Sequence, residues 1–525
     1  MIAIVVSRAD HASEHIGERL LDLADWTEHA DESRADDDGG GTVYRLDAEA
    51  AADSDVDSAD SDADSADPAF ELRTFDAMHL DLDRPAGAFG VVEDGPEAGV
   101  DLLLFVSRHS GDTGPLLTCH FTGNFGPAKY GGADRRFGRA APNAQKRLVA
   151  AFDDHAPEGY EVGVECTHHG PSEVGAPSMF VELGSGETEW ADPDGARAVA
   201  RSVLDLAGVA ADVRGADGAG GAGGSVGTVG TGDEGAETPR HLVGFGGGHY
   251  APRFERVLRE TAWGVGHVAA DWQLDELGDP ETHPEVLRRT FAASAAEHAL
   301  VEGEKSELRA TLTDLGYRVV SETWAREVDD RPLALVAALE NALGRVDDGL
   351  RFGNVVPDFG ADDGGGPRDA FEVRALPGDL LSEAQGVDAG AVREAVAADT
   401  VAFWTEQSGT RAVGRAAFPA TGGSSGDGDS DGAESTRDAY RSLVDALAAV
   451  LREKYDSVTV ETEGDGDGAE VVARETAFVP AVARELGVPE GPAFGRLADG
   501  EAVEVDGTTV HPEDVRDERE RRFAV

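Results

Sequence analysis

Five of the fifteen histidines fall on turns just after a run that reads as a β-strand: His109, His168, His169, His249 and His267. Imidazole both ligates metals and exchanges protons near neutral pH. Small residues or glycines stand beside each of the five, so a ligand can approach the backbone there. One such histidine is unremarkable, whereas five at equivalent strand ends point to a shared pocket. The densest stretch is "ECTHHGP", where Glu165, Cys166, His168 and His169 offer four good donors for zinc. Successive side chains on an extended strand oppose each other, so a turn is needed before several can meet one ion. The same residues also fit a buried strand end with Cys166 as packing. In "SRHSGD", Asp112 is placed to orient His109 through one ring nitrogen; a capping aspartate beside a surface histidine is the alternative. In "GGGHY", Gly246, Gly247 and Gly248 lead into a predicted helix whose free N–H groups would hold an oxyanion or phosphate. A tight strand-to-helix turn explains them equally well.

These groups need a scaffold that brings distant strand ends together. "IAIVVS" and "VDLLLFVSR" read as fully buried strands, and "SEHIGERLLDLA" has helical spacing. "DPDGARAVARSVLDLAG" reads as a helix capped by Asp192 with Pro193 in its first position. Strand, glycine turn and helix recur through "HLVGFGGGHYAPRFERVLRET" and beyond. The expected fold is α/β, a mostly parallel sheet with helices on both faces, in which functional groups gather outside the carboxyl ends of the strands. Low-complexity stretches punctuate the chain. The expected division is a catalytic domain over 1–325 with insertions at about 31–68 and 215–238, an α/β or α+β extension over 326–420, a flexible acidic linker over 421–436, and a terminal module over 437–525.

Charge is uneven. The chain carries 103 acidic against 45 basic residues, a formal net charge of -58. At molar salt the Debye length falls to about 3 Å and the self-repulsion is screened, so the acidity reads as adaptation to a salt-loaded cell interior. Against this background Leu103 to Phe152 holds seven bases and two acids. Lys129, Arg135, Arg136 and Lys146, interleaved with Phe121, Phe125, Tyr130 and Phe137, look like a nucleic-acid footprint. An arginine-rich surface neutralised by neighbouring acids is the plainer alternative. Two cysteines exclude a disulfide framework. There is no signal-peptide pattern and no apolar run near the ~20 residues a membrane span needs. A cytoplasmic protein with no membrane partner is expected. A Walker A loop, HExxH and paired CxxC are absent, and "GGSSG" at Gly422 has no strand before it to make a nucleophile elbow.

Taken together, "SRHSGDTGPLLTCHFTGNFG", "ECTHHGP", "ELGSGETEW", "GFGGGHYAPRF" and "GHVAADW" resemble the D-aminoacyl-tRNA deacylases of the archaeal and plant type, here in a halophilic version with a C-terminal extension. The resemblance spans Met1 to about Glu322. It implies a core similar to peptidyl-tRNA hydrolases and a zinc-dependent hydrolase. The substrate would be D-aminoacyl-tRNA, cut at the ester on the 3′ ribose. Residue chemistry and placement, not the family, select the ligands: His109, Glu165, His168 and His249 around metal and water, with His267 next, and Asp112 and His169 as further catalytic groups. Lys129, Arg135, Arg136 and Lys146 would meet the tRNA, with no role for DNA, and the protein is expected to act as a monomer. The alternatives are another metal-dependent ester or amide hydrolase, or a non-catalytic RNA-binding protein.

Overall fold

The computed structural model describes residues 1–47, 68–93, 98–213, 239–357, 366–420, 431–462 and 469–525. These divide into two units, Met1–Asp330 and Arg331–Val525. The expected insertion at 215–238 lies outside the described residues.

The described residues of the first unit carry twelve strands: β1 (Ile2–Ser7), β2 (Thr27–Asp31), β3 (Gly41–Asp47), β4 (Pro68–Phe75), β5 (Leu102–Arg108), β6 (Leu116–His120), β7 (Glu161–Val164), β8 (Ser178–Gly184), β9 (His241–Phe245), β10 (Gly264–Ala269), β11 (His298–Val301) and β12 (Arg318–Val320). They form two sheets where one was expected. The larger has the order β2-β3-β4-β1-β5-β8-β6-β7 and the smaller β10-β9-β11-β12. The small sheet is parallel throughout. In the large one β4, β1, β5 and β8 run parallel, while β2-β3-β4 and the β8–β6 pair are antiparallel.

Sequence explains the central strands. β1 and β8 are buried at every position, as continuous apolar runs covered on both faces must be. Their helices are where periodicity and caps put them. Asp10 caps His11–Leu23 by accepting from the N–H of Ser13, and Asp192 caps Pro193–Leu204 with proline in its first turn. The helix expected to open within Gly246–Tyr250 starts only at Pro252. "TVYRLD", placed within the first insertion, is instead most of β3, because Val43, Arg45 and Leu46 are buried between the strands it pairs with, β2 and β4.

The second unit holds a four-stranded and a three-stranded antiparallel sheet and a small hairpin. Residues 421–430 lie outside the described residues, but Asp431 already opens the helix Asp431–Leu451. Leu380, Val396 and Phe418 share one hydrophobic core with Leu443, Leu447, Val471 and Phe523. The acidic segment therefore does not separate two cores. No helix among the described residues is long and apolar enough to cross a membrane.

Candidate active site

The two sheets of the first unit meet through their main chains. Cys166 N–H donates to His249 C=O (2.8 Å), Ala251 N–H to Val164 C=O (3.0 Å) and Thr167 N–H to Val268 C=O (2.9 Å). The segment after β7 thus lies against the turn after β9, and the side chains there face groups at the ends of β5, β6 and β8. The expected single rim is a seam between two sheets.

At its centre is Glu165, buried at the end of β7. Its Oε2 accepts from His249 Nε2 at 2.7 Å, and its Oε1 lies 3.1 Å from His109 Nδ1. A second buried carboxylate, Glu182 on β8, lies 3.5 Å from His109 Nδ1 and 3.5 Å from His120 Nε2. Burial pulls the His109 pKa down, but the carboxylates of Glu165 and Glu182 overcome this and lift it to about 11. His120 is raised in the same way against its burial, chiefly by Glu182. Burial would raise Glu165, yet hydrogen bonding from His109 and His249 holds it well below the usual carboxylate range. The result is a buried set of two carboxylates and two imidazoles, in which the carboxylates favour the protonated rings. His109 is fitted tightly: a Cβ on Gly184 would lie 2.6 Å from His109 Cβ, so only glycine lets β8 pass there. Trp190 Nε1 holds the His109 carbonyl at 2.9 Å.

The free ring nitrogen of His109, Nε2, lies 3.0 Å from the hydroxyl of Tyr250. With His109 protonated, that nitrogen donates to the phenol oxygen, and the phenol proton is free to point at a substrate. Carbonyl partners fix the other tautomers, since a carbonyl only accepts. His168 Nδ1–H donates to Cys166 C=O (2.9 Å) and His169 Nδ1–H to Gly170 C=O (2.7 Å), leaving each Nε2 with a lone pair. Burial, then the charge that a protonated His120 would place nearby, lowers both: His168 falls well below its ordinary value and His169 to about 4.

Among the described residues three groups could hold a metal ion: His120, His168 and His169; Cys166, His168 and His249; and His109, Glu165 and Glu182, the ligand atoms within each lying within 4.8 Å of one another. In the last, the His109 nitrogen that faces the metal position already holds the proton that pairs it with Glu165 and Glu182. In the second, Glu165 accepts from His249 Nε2–H and so turns Nδ1 toward Cys166 Sγ, 3.6 Å away. Carboxylate, histidine and metal in line is the usual support of a metal-binding imidazole. One sulfur and two nitrogens suit zinc. The donor set therefore fits zinc, which Cys166, His168 and His249 would hold.

Against the expectations, His168, His169, His249, Glu165 and His109 come together, but His109 and Glu165 form the charged group beside the donor set. Asp112 is exposed, and carboxylates of Glu165 and Glu182 face His109 in its place. His267 is fully buried inside β10 with both nitrogens spent, on Thr167 Oγ1 (3.0 Å) and Gly138 C=O (2.9 Å). It braces the strand and is not a ligand. Gly246 N–H is bonded to Ala269 C=O (2.7 Å) and Gly247 C=O to Asp271 N–H (2.9 Å), so the three glycines form a turn and no helix terminus. The basic island is also reduced. Half-buried Lys146 donates to the carbonyls of Leu258 and Thr261, which cap the helix Pro252–Glu260. Lys129 is exposed but paired with Glu276. Arg135 is half-buried, whereas Arg136 is exposed. Phe121 and Phe125 are core residues, Phe137 packs on Phe125, and Tyr130 is 70% exposed.

Glu182, His120, Tyr250 and Cys166 as a donor were the residues sequence reasoning passed over or discounted. An acid within the apolar run "MFVELG" was the available signal for Glu182, because an unpaired buried carboxylate is prohibitively costly.

A family model described as D-aminoacyl-tRNA deacylase matches residues 97–320. A protein of Halorubrum lacusprofundi named D-aminoacyl-tRNA deacylase is 53% identical, with 100% of this chain and 97% of that protein covered. One of the same name from Natronomonas pharaonis is 50% identical over 100% of both chains. This chain belongs to the D-aminoacyl-tRNA deacylase family. A more distant member so named, from Methanoregula boonei, is 32% identical over 81% of this chain and 85% of its own. The segment matched by the family model contains every residue of the cluster, from His109 to Tyr250. The full-length relatives include the second unit, so that unit is common to these halophilic members and not peculiar to this chain.

Proposed function

We propose that this chain hydrolyses the ester between a D-amino acid and the 3′ ribose of tRNA, releasing free D-amino acid and tRNA. Family membership supports the substrate. The observation that carries the chemistry is Tyr250, whose hydroxyl is backed by the His109 cation and stands beside the Cys166, His168 and His249 donor set.

In this reading the ester carbonyl oxygen accepts from the Tyr250 hydroxyl. As negative charge develops on that oxygen, the proton held at His109 Nε2 polarises the phenol further. Glu165 and Glu182 keep that proton on His109, so the donor is in place before substrate arrives. Glu165 also fixes the ring of His249. Zinc held by Cys166, His168 and His249 supplies Lewis acidity for hydrolysis at neutral pH. Gln273 on the neighbouring helix grips the Thr167 carbonyl and holds the Cys166–His168 turn in position. Exposed Arg136, outside the Lys129–Glu276 and Arg139–Asp212 ion pairs, would meet tRNA phosphate. We also take the protein to be a cytoplasmic monomer with neither DNA nor membrane as partner.

The deciding experiment is chiral. At molar KCl, D-Tyr-tRNA is deacylated much faster than L-Tyr-tRNA; equal rates, or no release from either, count against the proposal.

A further inference from the structure

The large hydrophobic side chains that stand exposed among the described residues are Val91, Tyr130, Tyr250, Trp272, Val356 and Leu486. The aromatic ones, Tyr130, Tyr250 and Trp272, all border the histidine–carboxylate cluster. In a chain that is only 6% aromatic, composition does not produce that convergence. Tyr250 has its task at His109. The other two have none in the chemistry.

Trp272 is the second residue of the helix Asp271–Leu277. Its indole lies close to the Cys166 thiol, yet the residue remains 43% exposed. The helix is pinned on both sides of it, by Asp271 N–H on Gly247 C=O (2.9 Å) and by Gln273 on Thr167. Tyr130 is 70% exposed on a loop whose position is equally fixed. Its carbonyl accepts from Gly170 N–H at 2.9 Å, next to His169. A Cβ on Gly170 would lie 2.2 Å from Gly132 N, so the Tyr130 loop and the histidine turn interlock. Two exposed aromatic residues are thus held on firm backbone at the edge of the site, one next to Cys166 and one next to His169.

Electrostatics leaves them a role. Lys129 and Arg139 are paired with acids and Lys146 is structural, which takes three of the seven bases of the island away from phosphate. Phosphate contacts also weaken steeply as salt rises. Stacking on base faces depends on neither, and it is sequence-tolerant because every base has a π-face.

We infer that Trp272 and Tyr130 are stacking platforms that hold the unpaired bases at the 3′ end of the RNA while its ester lies at Tyr250. This rests on the deacylase reading for the identity of the RNA. The test pairs kinetics with binding, both at molar KCl on the full chain. Trp272→Ala and Tyr130→Ala each raise KM for D-aminoacyl-tRNA by about tenfold to hundredfold, with a smaller change in kcat, and Trp272→Phe and Tyr130→Phe recover most of the loss. Uncharged tRNA binds the wild type more tightly than the same tRNA stripped of its unpaired 3′ nucleotides, and the alanine variants lose that difference. An active wild type whose KM and binding preference survive both alanine substitutions overturns the inference. An inactive wild type that still prefers the intact 3′ end, through Trp272 and Tyr130, retires the deacylase reading and keeps the platforms.

Discussion

Tyr250 and His109 are joined by a 3.0 Å contact between phenol oxygen and Nε2, although they come from different sheets. The contact exists because the segment after β7 and the turn after β9 are zipped together by main-chain hydrogen bonds. Tyr250→Phe removes the hydroxyl and keeps the ring. Loss of one preorganised donor to a developing oxyanion costs about 10²–10³ in kcat. Single-turnover deacylation of D-Tyr-tRNA should show that drop with the melting temperature nearly unchanged. A variant within threefold of wild type, about 0.6 kcal/mol in barrier height, would remove Tyr250 from the chemistry.

Glu165 divides its two oxygens between His109 and His249. Glu165→Gln keeps the shape but lets the amide present a donor where an acceptor is needed. Its effect on metal affinity should be about tenfold to hundredfold, as for other outer-shell carboxylates. Titrating Zn²⁺ into metal-free protein, followed by calorimetry, reads this without any turnover. Cys166→Ala should weaken binding further, and Cys119→Ala, buried at the other strand, should leave it alone. Equal affinity in Cys166→Ala and wild type would place the metal elsewhere.

How much of this was open to sequence reasoning follows from what each residue depends on. β1, β5 and β8 and the helices His11–Leu23 and Pro193–Leu204 were legible because local pattern and capping decide them. His109, Glu165, His168 and His249 were legible as a set because strand ends converge. Their partners were not. Asp112 is near His109 in sequence, but pairing was decided by β5 lying beside β8, which brings Glu182 underneath. The same limit explains Lys146: charge suggested RNA, while packing of its helix carried the amine to two helix-end carbonyls. Phe121 and Phe125 had exposed-looking neighbours and nonetheless face Phe137, His267 and the small-sheet core.

Lys146 supplies a clean distinction between structure and footprint. Burial lowers its pKa, and its amine donates to Leu258 and Thr261 carbonyls at a helix C-terminus. Lys146→Met keeps the stem and deletes these charge-assisted bonds, costing about 1.5–3 kcal/mol of stability. KM for tRNA should be unmoved, whereas Arg136→Ala should raise it at low salt and less so at molar KCl. Chemical denaturation together with a salt series on both variants checks the assignment.

The first four strands have their own electrostatic anchor. Arg73, fully buried on β4, reaches Glu71 (2.6 Å), Asp31 (2.6 Å) and the carbonyls of Gly39 (2.8 Å) and Val91 (2.7 Å). Arg73→Leu leaves buried Asp31 without its cation and Glu71 with Arg45 alone (2.8 Å), a loss of about 3–5 kcal/mol. The exposed Arg34–Asp38 pair, by contrast, contributes about 0–1 kcal/mol and less at molar salt. Urea unfolding of Arg73→Leu and Arg34→Ala should separate the two by several-fold, and comparable midpoints would mean that the buried network is not needed for the sheet.

His298 gives a signed pH dependence far in sequence from the charged cluster. It is buried, stacked on Trp324 at 5.1 Å and edge-on to Trp263 at 5.2 Å, and its Nδ1 has no hydrogen-bond partner among the described residues. Burial, then the cations Arg318 and Arg240, push its pKa from 6.5 to about 4. Above about 6.5 both folded and unfolded imidazoles are neutral, so this residue adds no pH dependence. Between 6.5 and 4 the unfolded chain takes up a proton that the folded chain refuses, so stability is lost as pH falls, and the loss levels off below 4. His298→Phe keeps an aromatic ring in the slot and removes the titration. Its melting temperature, followed at constant molar KCl, should therefore fall less steeply than that of the wild type across that window and run parallel to it above pH 7. Curves that stay parallel throughout would show that His298 is protonated in the folded protein, and that the two tryptophans beside it accept the charge.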